Sequence, residues 1–169
     1  MRELSPSLQL HPATQADIAV ALAWTPEAVA LRRWAGPAAR WPTSPTMLRE
    51  DIDNADASSF ALDAPEGGLA AFGQVRFRDQ RYGHLARIIV SPVQRGRGLG
   101  RNLCHQLMQA ALRLHPIEAF SLYVFPENSP AIALYESLGF VLTGAKHDKS
   151  ECLLMQAPLT ALLPGSNIS

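Results

Sequence analysis

The chain has 169 residues, and its 15 acidic and 15 basic side chains give a formal net charge of zero. This length and a hydrophobic content of 47% are typical of one globular domain with a sizeable core. Because the chain has neither an excess of basic residues nor an apolar run near the roughly 18 residues of a membrane span, we expect a cytoplasmic protein with no nucleic-acid or membrane partner.

The two cysteines, Cys104 and Cys152, lie far apart in the sequence and lack CxxC spacing. Zinc sites and disulfide frameworks need closely spaced or multiple cysteines. We therefore expect reduced, structural thiols and no metal site.

Short helices are predicted in the first third of the chain, which is rich in Trp, Pro and Ala. The pattern predicts helices over residues 17–22 and 27–34, separated at Pro26. Thr46 is predicted to be the N-cap of a third helix over residues 47–54.

Strand patterns follow the helical segments. Residues 58–62 and 69–78 are short strand-like runs, and the segment 64–68 between them has turn chemistry, so a β-hairpin is expected. Residues 84–90 are mostly apolar, as in a strand that is buried on both faces. This run is predicted to be the central strand.

The second half of the chain predicts two helices and three strands. An apolar residue recurs at three- or four-residue steps from Leu99 to Leu114, which predicts a helix over residues 98–114. A helix over 130–138 is bounded by Ser129 as N-cap and Gly139 as left-handed C-cap. Strands are expected at 119–125, 140–145 and 152–157, the last two as an antiparallel pair; the domain is expected to span 1–163, with a flexible tail at 164–169.

A glycine- and arginine-rich loop joins the central strand to the long helix. It reads Gln94-Arg95-Gly96-Arg97-Gly98-Leu99-Gly100-Arg101. The glycines let the backbone curl so that successive N–H groups converge on an anion, and the helix N-terminus adds unpaired N–H groups. The arginines add charge suited to a diphosphate. The loop therefore predicts a phosphate or pyrophosphate site, with a solvated turn as the structural alternative.

Two nucleotide-binding motifs fail on spacing. A GxGxxG motif that began at Gly96 and Gly98 would need its third glycine where the chain has Arg101. A P-loop needs GxxxxGK[ST], and no Lys-Ser or Lys-Thr pair has that spacing. Neither motif accounts for the loop.

The loop resembles the acyl-CoA loop of the GCN5-related N-acetyltransferase (GNAT) superfamily, whose pattern is [Q/R]-x-x-G-x-[G/A]. Arg95, Gly98 and Gly100 match it. The resemblance implies an α/β (α+β) fold with a mixed, twisted sheet of six or seven strands and helices on both faces. It also implies that acetyl-CoA is bound through pantetheine contacts at Ile88, Ile89 and Val90 and phosphate contacts at Arg95, Gly96, Arg97, Gly98, Leu99, Gly100 and Arg101.

A second motif runs from Asn128 to Phe140 and is similar to the superfamily signature N-x(6)-Y-x(3)-GF. The resemblance implies that Asn128 contacts the pantetheine arm and that the Tyr135 hydroxyl lies near the thioester sulfur. A tyrosine, with an ordinary pKa of about 10, can protonate a departing thiolate. Tyr135 is therefore the predicted general acid; the structural alternative is that Tyr135 only packs on its helix.

The sequence indicates the general base less clearly than the general acid. Many relatives carry a glutamate on the central strand or the next one, but here the central strand has Arg87 and the next strand has Tyr123. Three candidates remain: His84, whose ordinary pKa is about 6.5, Tyr123 and Glu127. A water chain is the alternative to all three. The resemblance also implies that a backbone N–H near Ile89 or Val90 meets the oxyanion.

Aromatic side chains are candidate walls of an acceptor pocket: Trp24, Trp34, Trp41, Phe60, Phe77 and Tyr82. Four carboxylates could attract a cationic amine but are more simply a solvated face: Glu50, Asp51, Asp53 and Asp56.

The motifs together predict an N-acetyltransferase that moves acetyl from acetyl-CoA to a primary amine of a small molecule or peptide, by direct attack in a ternary complex. A non-catalytic acyl-CoA sensor is the main alternative, because the usual glutamate is missing. Nucleic-acid binding through the loop arginines is the alternative that agrees least with the zero net charge of the chain. The sequence leaves the oligomeric state open, a homodimer being one option.

Overall fold

The computed structural model describes residues 8–148 and 150–162. Helices and strands follow one another in this order: β1 (Leu10–Pro12), α1 (Gln15–Ala23), α2 (Ala28–Ala35), α3 (Pro45–Ile52), β2 (Ala57–Asp63), β3 (Leu69–Arg78), β4 (Tyr82–Val90), α4 (Leu99–Leu114), β5 (Ala119–Val124), α5 (Ser129–Ser137), β6 (Val141–Lys146), β7 (Leu153–Pro158) and α6 (Leu159–Leu162). The strands form one sheet in the order β1-β2-β3-β4-β5-β7-β6. The expected mixed sheet of six or seven strands is confirmed, with seven strands.

Two helix starts differ from the sequence expectation. The N-cap of α3 is Ser44, whose Oγ accepts from the Met47 amide at 3.2 Å, and Thr46 lies inside the helix. The N-cap of α5 is Asn128, whose Oδ1 accepts from the Ala131 amide at 3.3 Å, in place of Ser129. Both helices carry a proline in their first two positions, where its missing N–H costs nothing. Helix α3 therefore begins one residue before the expected cap, Thr46, and α5 begins at the expected cap, Ser129.

The short strand β1 was not predicted. It has only three residues, one of them a proline, and its pairing with β2 at the sheet edge gives no periodic signal in the sequence. The expected tail at 164–169 lies outside the described residues. Within the described part, no helix is long and apolar enough to cross a membrane.

Hydrophobic side chains form a core on each face of the sheet. On one face, the α4 core lies between the sheet and helices α4 and α5, and it includes Leu103, Leu107, Phe120 and Phe140. The α1–α3 core lies on the other face and includes Ile18, Leu31, Leu48 and Phe72. Helices on both faces are therefore confirmed, and they fix the sheet between two packed layers.

The sheet opens between β4 and β5. These parallel strands pair only from Tyr82↔Ala119 to Leu85↔Leu122. Immediately beyond, the register of β4 against β3 shifts, and Arg87 adopts a left-handed φ of 51°. Such a bulge bends a strand and increases its local twist. The second half of β4 thus diverges from β5, and its backbone edge over residues 86–90 is left unpaired by β5.

Candidate active site

A cavity of about 480 Å³ lies in the opening between β4 and β5. Its walls come from α2, β3, β4, β5, α5 and the connection between β6 and β7. Five predicted site residues line it: His84, Ile88, Tyr123, Asn128 and Tyr135. Residues from distant parts of the sequence are therefore brought to one place.

The bulge in β4 is held in place by Arg87. Its Nε donates to the Ala35 carbonyl at 2.9 Å and its guanidinium donates to Gln74 Oε1 at 2.6 Å. Its own carbonyl accepts from Trp34 Nε1 at 2.8 Å. A non-glycine residue at positive φ costs on the order of 1–2 kcal/mol, which these bonds offset. Burial lowers the pKa of Arg87 to about 10, so the side chain is charged at neutral pH.

The glycine-rich loop follows β4 and leads directly into α4. Gly98 is the N-cap at φ 75°, Gly96 has φ 81°, and a Cβ at either position would meet no protein atom within 4 Å. The first helical hydrogen bond runs from the Asn102 amide to the Gly98 carbonyl. The preceding amides of this turn have no partner inside the helix, and together with the helix dipole they are suited to bind an anion, as the sequence predicts.

Side chains around the loop have different roles. Gln94 donates to Glu66 at 2.9 Å and accepts from Arg97 at 3.0 Å, which braces the loop. Arg101 donates to Ser137 on α5. Leu99 is buried in the α4 core, so only its backbone can meet a phosphate. Ile89 is likewise buried, in the α1–α3 core, so that only its backbone could make the predicted contact with a pantetheine arm.

Tyr135 projects from α5 to the cavity and is only 7% exposed. No group among residues 8–148 and 150–162 hydrogen-bonds its hydroxyl, and no enclosed polar atom there lacks a partner, so the hydroxyl meets the cavity. Burial raises the pKa of Tyr135 above its usual value of 10, which keeps the phenol protonated. The predicted acid is thus in the state that can donate.

The end of α5 fixes the position of Tyr135. Gly139 has φ 98°, its amide donates to the Glu136 carbonyl at 3.0 Å, and the Phe140 amide donates to the Tyr135 carbonyl at 3.1 Å. These two bonds form a Schellman motif, which requires a left-handed residue. The left-handed turn expected at Gly139 is confirmed, and it sends Phe140 into the α4 core.

His84 lines the cavity, but its environment makes it a weak proton acceptor. Its Nδ1 lies 2.8 Å from Ser121 Oγ, and its ring stacks at a tilt on Tyr123 with centroids 5.0 Å apart. Burial, followed by the positive charges of Arg78 and Arg76, lowers the pKa of His84 from 6.5 to about 3. The ordinary pKa of about 6.5, which made His84 a candidate base, does not hold in the folded protein, because this imidazole is desolvated among cations.

We expect replacement of His84 by asparagine to leave the shape of the pH–rate profile unchanged, because a group with a pKa near 3 is neutral from pH 5 to 9. Stability should respond instead. A folded-state pKa below the unfolded value destabilises the protein as pH falls below about 6.5, by about 1.4 kcal/mol for each pH unit. Urea unfolding between pH 4.5 and 7.5 should show this slope in the parent and less of it in His84→Asn.

The control for this experiment is His105→Asn, at an exposed position on α4. It should keep the parental pH dependence of stability. A rate limb near pH 6.5 that disappears in His84→Asn alone would show instead that His84 is the base.

The other two base candidates are also engaged. Tyr123 packs between His84 and His147, with ring centroids 5.0 and 4.7 Å away. Glu127 pairs with Arg33 at 2.8 Å and is not among the cavity-lining residues. Hydrogen bonds from its own backbone and from Arg33 lower the pKa of Glu127, which weakens it as a base.

Most of the predicted acceptor walls lie elsewhere. Only Trp34 lines the cavity; Phe77 and Phe60 pack in or on the α4 core, Trp24 packs on the α1–α3 core, and Trp41 and Tyr82 are exposed. The pattern of aromatic residues did not distinguish core from cavity. The acidic side chains also lie outside it: Glu50 and Asp51 pair with Arg40, and Asp53 pairs with Arg49.

Sequence reasoning missed the arginines of the cavity. Arg76 and Arg78 line it from β3, and Arg32 and Arg33 line it from α2. A signal was present in β3, where Gln74, Arg76 and Arg78 alternate with apolar residues and so share one face of the strand. Only the packing of the sheet decides whether that face is turned toward the cavity.

Comparison with known proteins places the chain in a family. Residues 28–140 match the profile of the Acetyltransferase (GNAT) family. The match includes the bulged strand β4, the glycine-rich loop and the motif that ends at Phe140. The chain therefore belongs to the GNAT family.

Two kinds of relative share partial sequence similarity. Mycothiol acetyltransferase of Salinispora arenicola is 31% identical over 106 residues, which are 60% of this chain and 34% of the relative. The chain thus spans about a third of that protein's length. N-alpha-acetyltransferase of Sulfurisphaera tokodaii is 38% identical over 81 residues, 46% of this chain and 48% of the relative.

Solved structures share the whole fold. Spermidine N-acetyltransferase from Vibrio cholerae, in complex with CoA and spermine, superposes with a TM-score of 0.74 over 92% of this chain and 97% of its own, at 18% identity. A putative acyl-CoA N-acyltransferase from Klebsiella pneumoniae gives 0.65 over 90% and 98%, at 20% identity. At these identities the likeness concerns the fold.

Proposed function

We propose that the protein transfers an acetyl group from acetyl-CoA to a primary amine, by direct attack of the amine on the thioester in a ternary complex. The observation that carries this proposal is the opening of the sheet. The unpaired edge of β4 leads from the anion site at α4 to a cavity that the Tyr135 hydroxyl meets. A long cofactor with phosphates at one end and a thioester at the other fits this order.

The cofactor would lie along β4. Its pyrophosphate would bind the amides at the start of α4, with Arg95, Arg97 and Arg101 adding charge. Its pantetheine arm would hydrogen-bond the backbone of 88–90, and Asn128, already held as the cap of α5, would contact the same arm. We therefore propose acetyl-CoA as the co-substrate that these groups hold.

The chemistry then needs two groups from this chain. The neutral amine nitrogen forms a bond to the thioester carbon, and a backbone N–H near Ile89 or Val90 stabilises the oxyanion. When the carbon–sulfur bond breaks, the thiolate takes the Tyr135 proton, and the phenolate that remains takes a proton back from water. Desolvation raises the pKa of a thiol as well as that of a phenol, so the two proton affinities stay close. With the three side-chain bases weakened or engaged, the amine proton would leave through water.

The relatives favour amine acetylation over other uses of acyl-CoA. Their names describe a mycothiol acetyltransferase, an N-alpha-acetyltransferase and a spermidine N-acetyltransferase. Acetyl is thus the acyl group that we propose. The cytoplasmic location and a homodimer stay predictions of the sequence.

The proposal is tested by measuring free thiol release from acetyl-CoA with a panel of primary amines, and by mass analysis of the products. We expect thiol release that depends on the amine and yields the N-acetyl product. Binding of acetyl-CoA in calorimetry, with no turnover of any amine, would contradict the proposal and favour the sensor alternative.

A further inference from the structure

The cavity is strongly cationic. Among residues 8–148 and 150–162, its lining side chains include five arginines, at positions 32, 33, 76, 78 and 87, and no aspartate or glutamate. This composition contrasts with the zero net charge of the whole chain. The basic residues are therefore concentrated at the site.

Two of these arginines are occupied by protein groups. Arg33 pairs with Glu127 at 2.8 Å, and Arg87 bonds Ala35 and Gln74. For Arg32, Arg76 and Arg78, by contrast, no carboxylate within residues 8–148 and 150–162 lies at ion-pair distance. Arg76 is half-buried. Since a partly buried charge is costly without a counter-ion, these unpaired arginines favour the binding of an anion in the cavity.

The register of the sheet aims two of the free arginines at the cavity. Arg76 is directly opposite His84, and Arg78 is opposite Tyr82. Directly opposed residues of an antiparallel pair share one face, so Arg76 lies on the face that carries His84. In agreement with this placement, the charges of Arg78 and Arg76 contribute to lowering the pKa of His84.

The phosphates of CoA are not the anion in question. Their predicted site begins after Val90, whereas Arg76 pairs with His84, six positions earlier on β4. At about 3.3 Å per residue this separation is about 20 Å along the strand. Ile88, which lines the cavity, lies on β4 between these two ends. An anion at Arg76 and Arg78 would therefore belong to the molecule on the acceptor side.

We propose that the acceptor is an amine that also carries a compact anionic group, a carboxylate or a phosphate, and that Arg76 and Arg78 bind this group. The inference rests on the proposed acetyl transfer. It names a different substrate class from a polyamine, whose positive charges the same arginines would repel. The side chains that could attract a polyamine, Glu50, Asp51 and Asp53, are paired with arginines outside the cavity.

Matched amines test the proposal. Thiol release is measured with γ-aminobutyrate, butylamine and putrescine, which have four carbons each, and again with the six-carbon ε-aminocaproate, hexylamine and 1,6-diaminohexane. Phosphoethanolamine separates phosphate from carboxylate recognition. We expect kcat/KM for an anionic amine to exceed that for its alkylamine by about tenfold or more, as one charge-assisted hydrogen bond provides, and the diamine to be poorest.

Variants then locate the preference. In the double variant Arg76→Gln/Arg78→Gln, the ratio of kcat/KM for anionic amine to alkylamine should fall to near one. Arg113→Gln removes an exposed arginine from the last turn of α4, outside the cavity, and should keep both the rates and the ratio. An equal loss of preference in Arg113→Gln would overturn the proposal, because the effect would then be one of overall charge.

Failure of the inference differs from failure of the proposed function. Turnover of alkylamines or diamines as fast as of anionic amines overturns the inference and leaves acetyl transfer standing. If no amine is acetylated, the proposed function fails. Calorimetry with the CoA-loaded protein then measures whether the cavity binds the anionic amine in preference to the diamine. If the diamine binds as tightly as the amino carboxylate, or if neither of them binds, anion recognition is overturned as well.

Discussion

Replacing Tyr135 by phenylalanine is expected to lower kcat by about a hundredfold or more, the usual contribution of a positioned general acid. The hydroxyl has no hydrogen-bond partner among the described residues, so its removal leaves no protein group unsatisfied. The ring, packed edge-on near Phe140 at 6.2 Å, keeps its contacts. Steady-state kinetics should therefore show the loss in kcat, while calorimetry shows unchanged binding of CoA.

Two other tyrosines make this experiment specific. Tyr82→Phe, at an exposed position at the start of β4, should retain parental activity. Tyr123→Phe tests the other phenol in the cavity and should cost much less than Tyr135→Phe. A Tyr135→Phe protein with parental kcat would remove Tyr135 from the mechanism, and a large loss in Tyr123→Phe alone would transfer the acid role to Tyr123.

Replacing Gly98 by alanine is expected to weaken CoA binding about tenfold or more. The added methyl group would stand in the open space beside the loop amides, and the left-handed φ of 75° would be strained. Loss of one or two hydrogen bonds to a phosphate oxygen is sufficient for a change of this size. Isothermal titration with CoA measures the dissociation constant, and the KM for acetyl-CoA should rise in parallel.

Gly67→Ala is the matched control. Gly67 also has a positive φ, 96°, and a Cβ there also meets nothing within 4 Å, but it lies in the turn between β2 and β3. It should lose a similar amount of stability and keep parental CoA affinity. If both variants bound CoA equally well, the loop would not be the pyrophosphate site.

The strands and helices with strong periodicity could be predicted from the sequence. Strand β3 has its expected bounds, and α4 begins one residue after the expected start. Bounds set by caps were less predictable, because Ser44 and Asn128 compete with the neighbouring Thr46 and Ser129 and only the helix geometry selects between them. The cofactor-binding residues could be proposed as a group because their motifs are local in the sequence, and they stay a prediction.

The sequence alone determined the family motifs: a glycine-rich anion loop at a helix N-terminus, and the segment from Asn128 to Phe140 with its tyrosine and left-handed glycine. Tertiary structure decided what surrounds them. Strand register turned Arg76 and Arg78 toward the cavity, and burial among these charges lowered the pKa of His84. Local motifs depend on neighbouring residues in the chain, whereas charge and desolvation at a site depend on residues that only the folded sheet brings together.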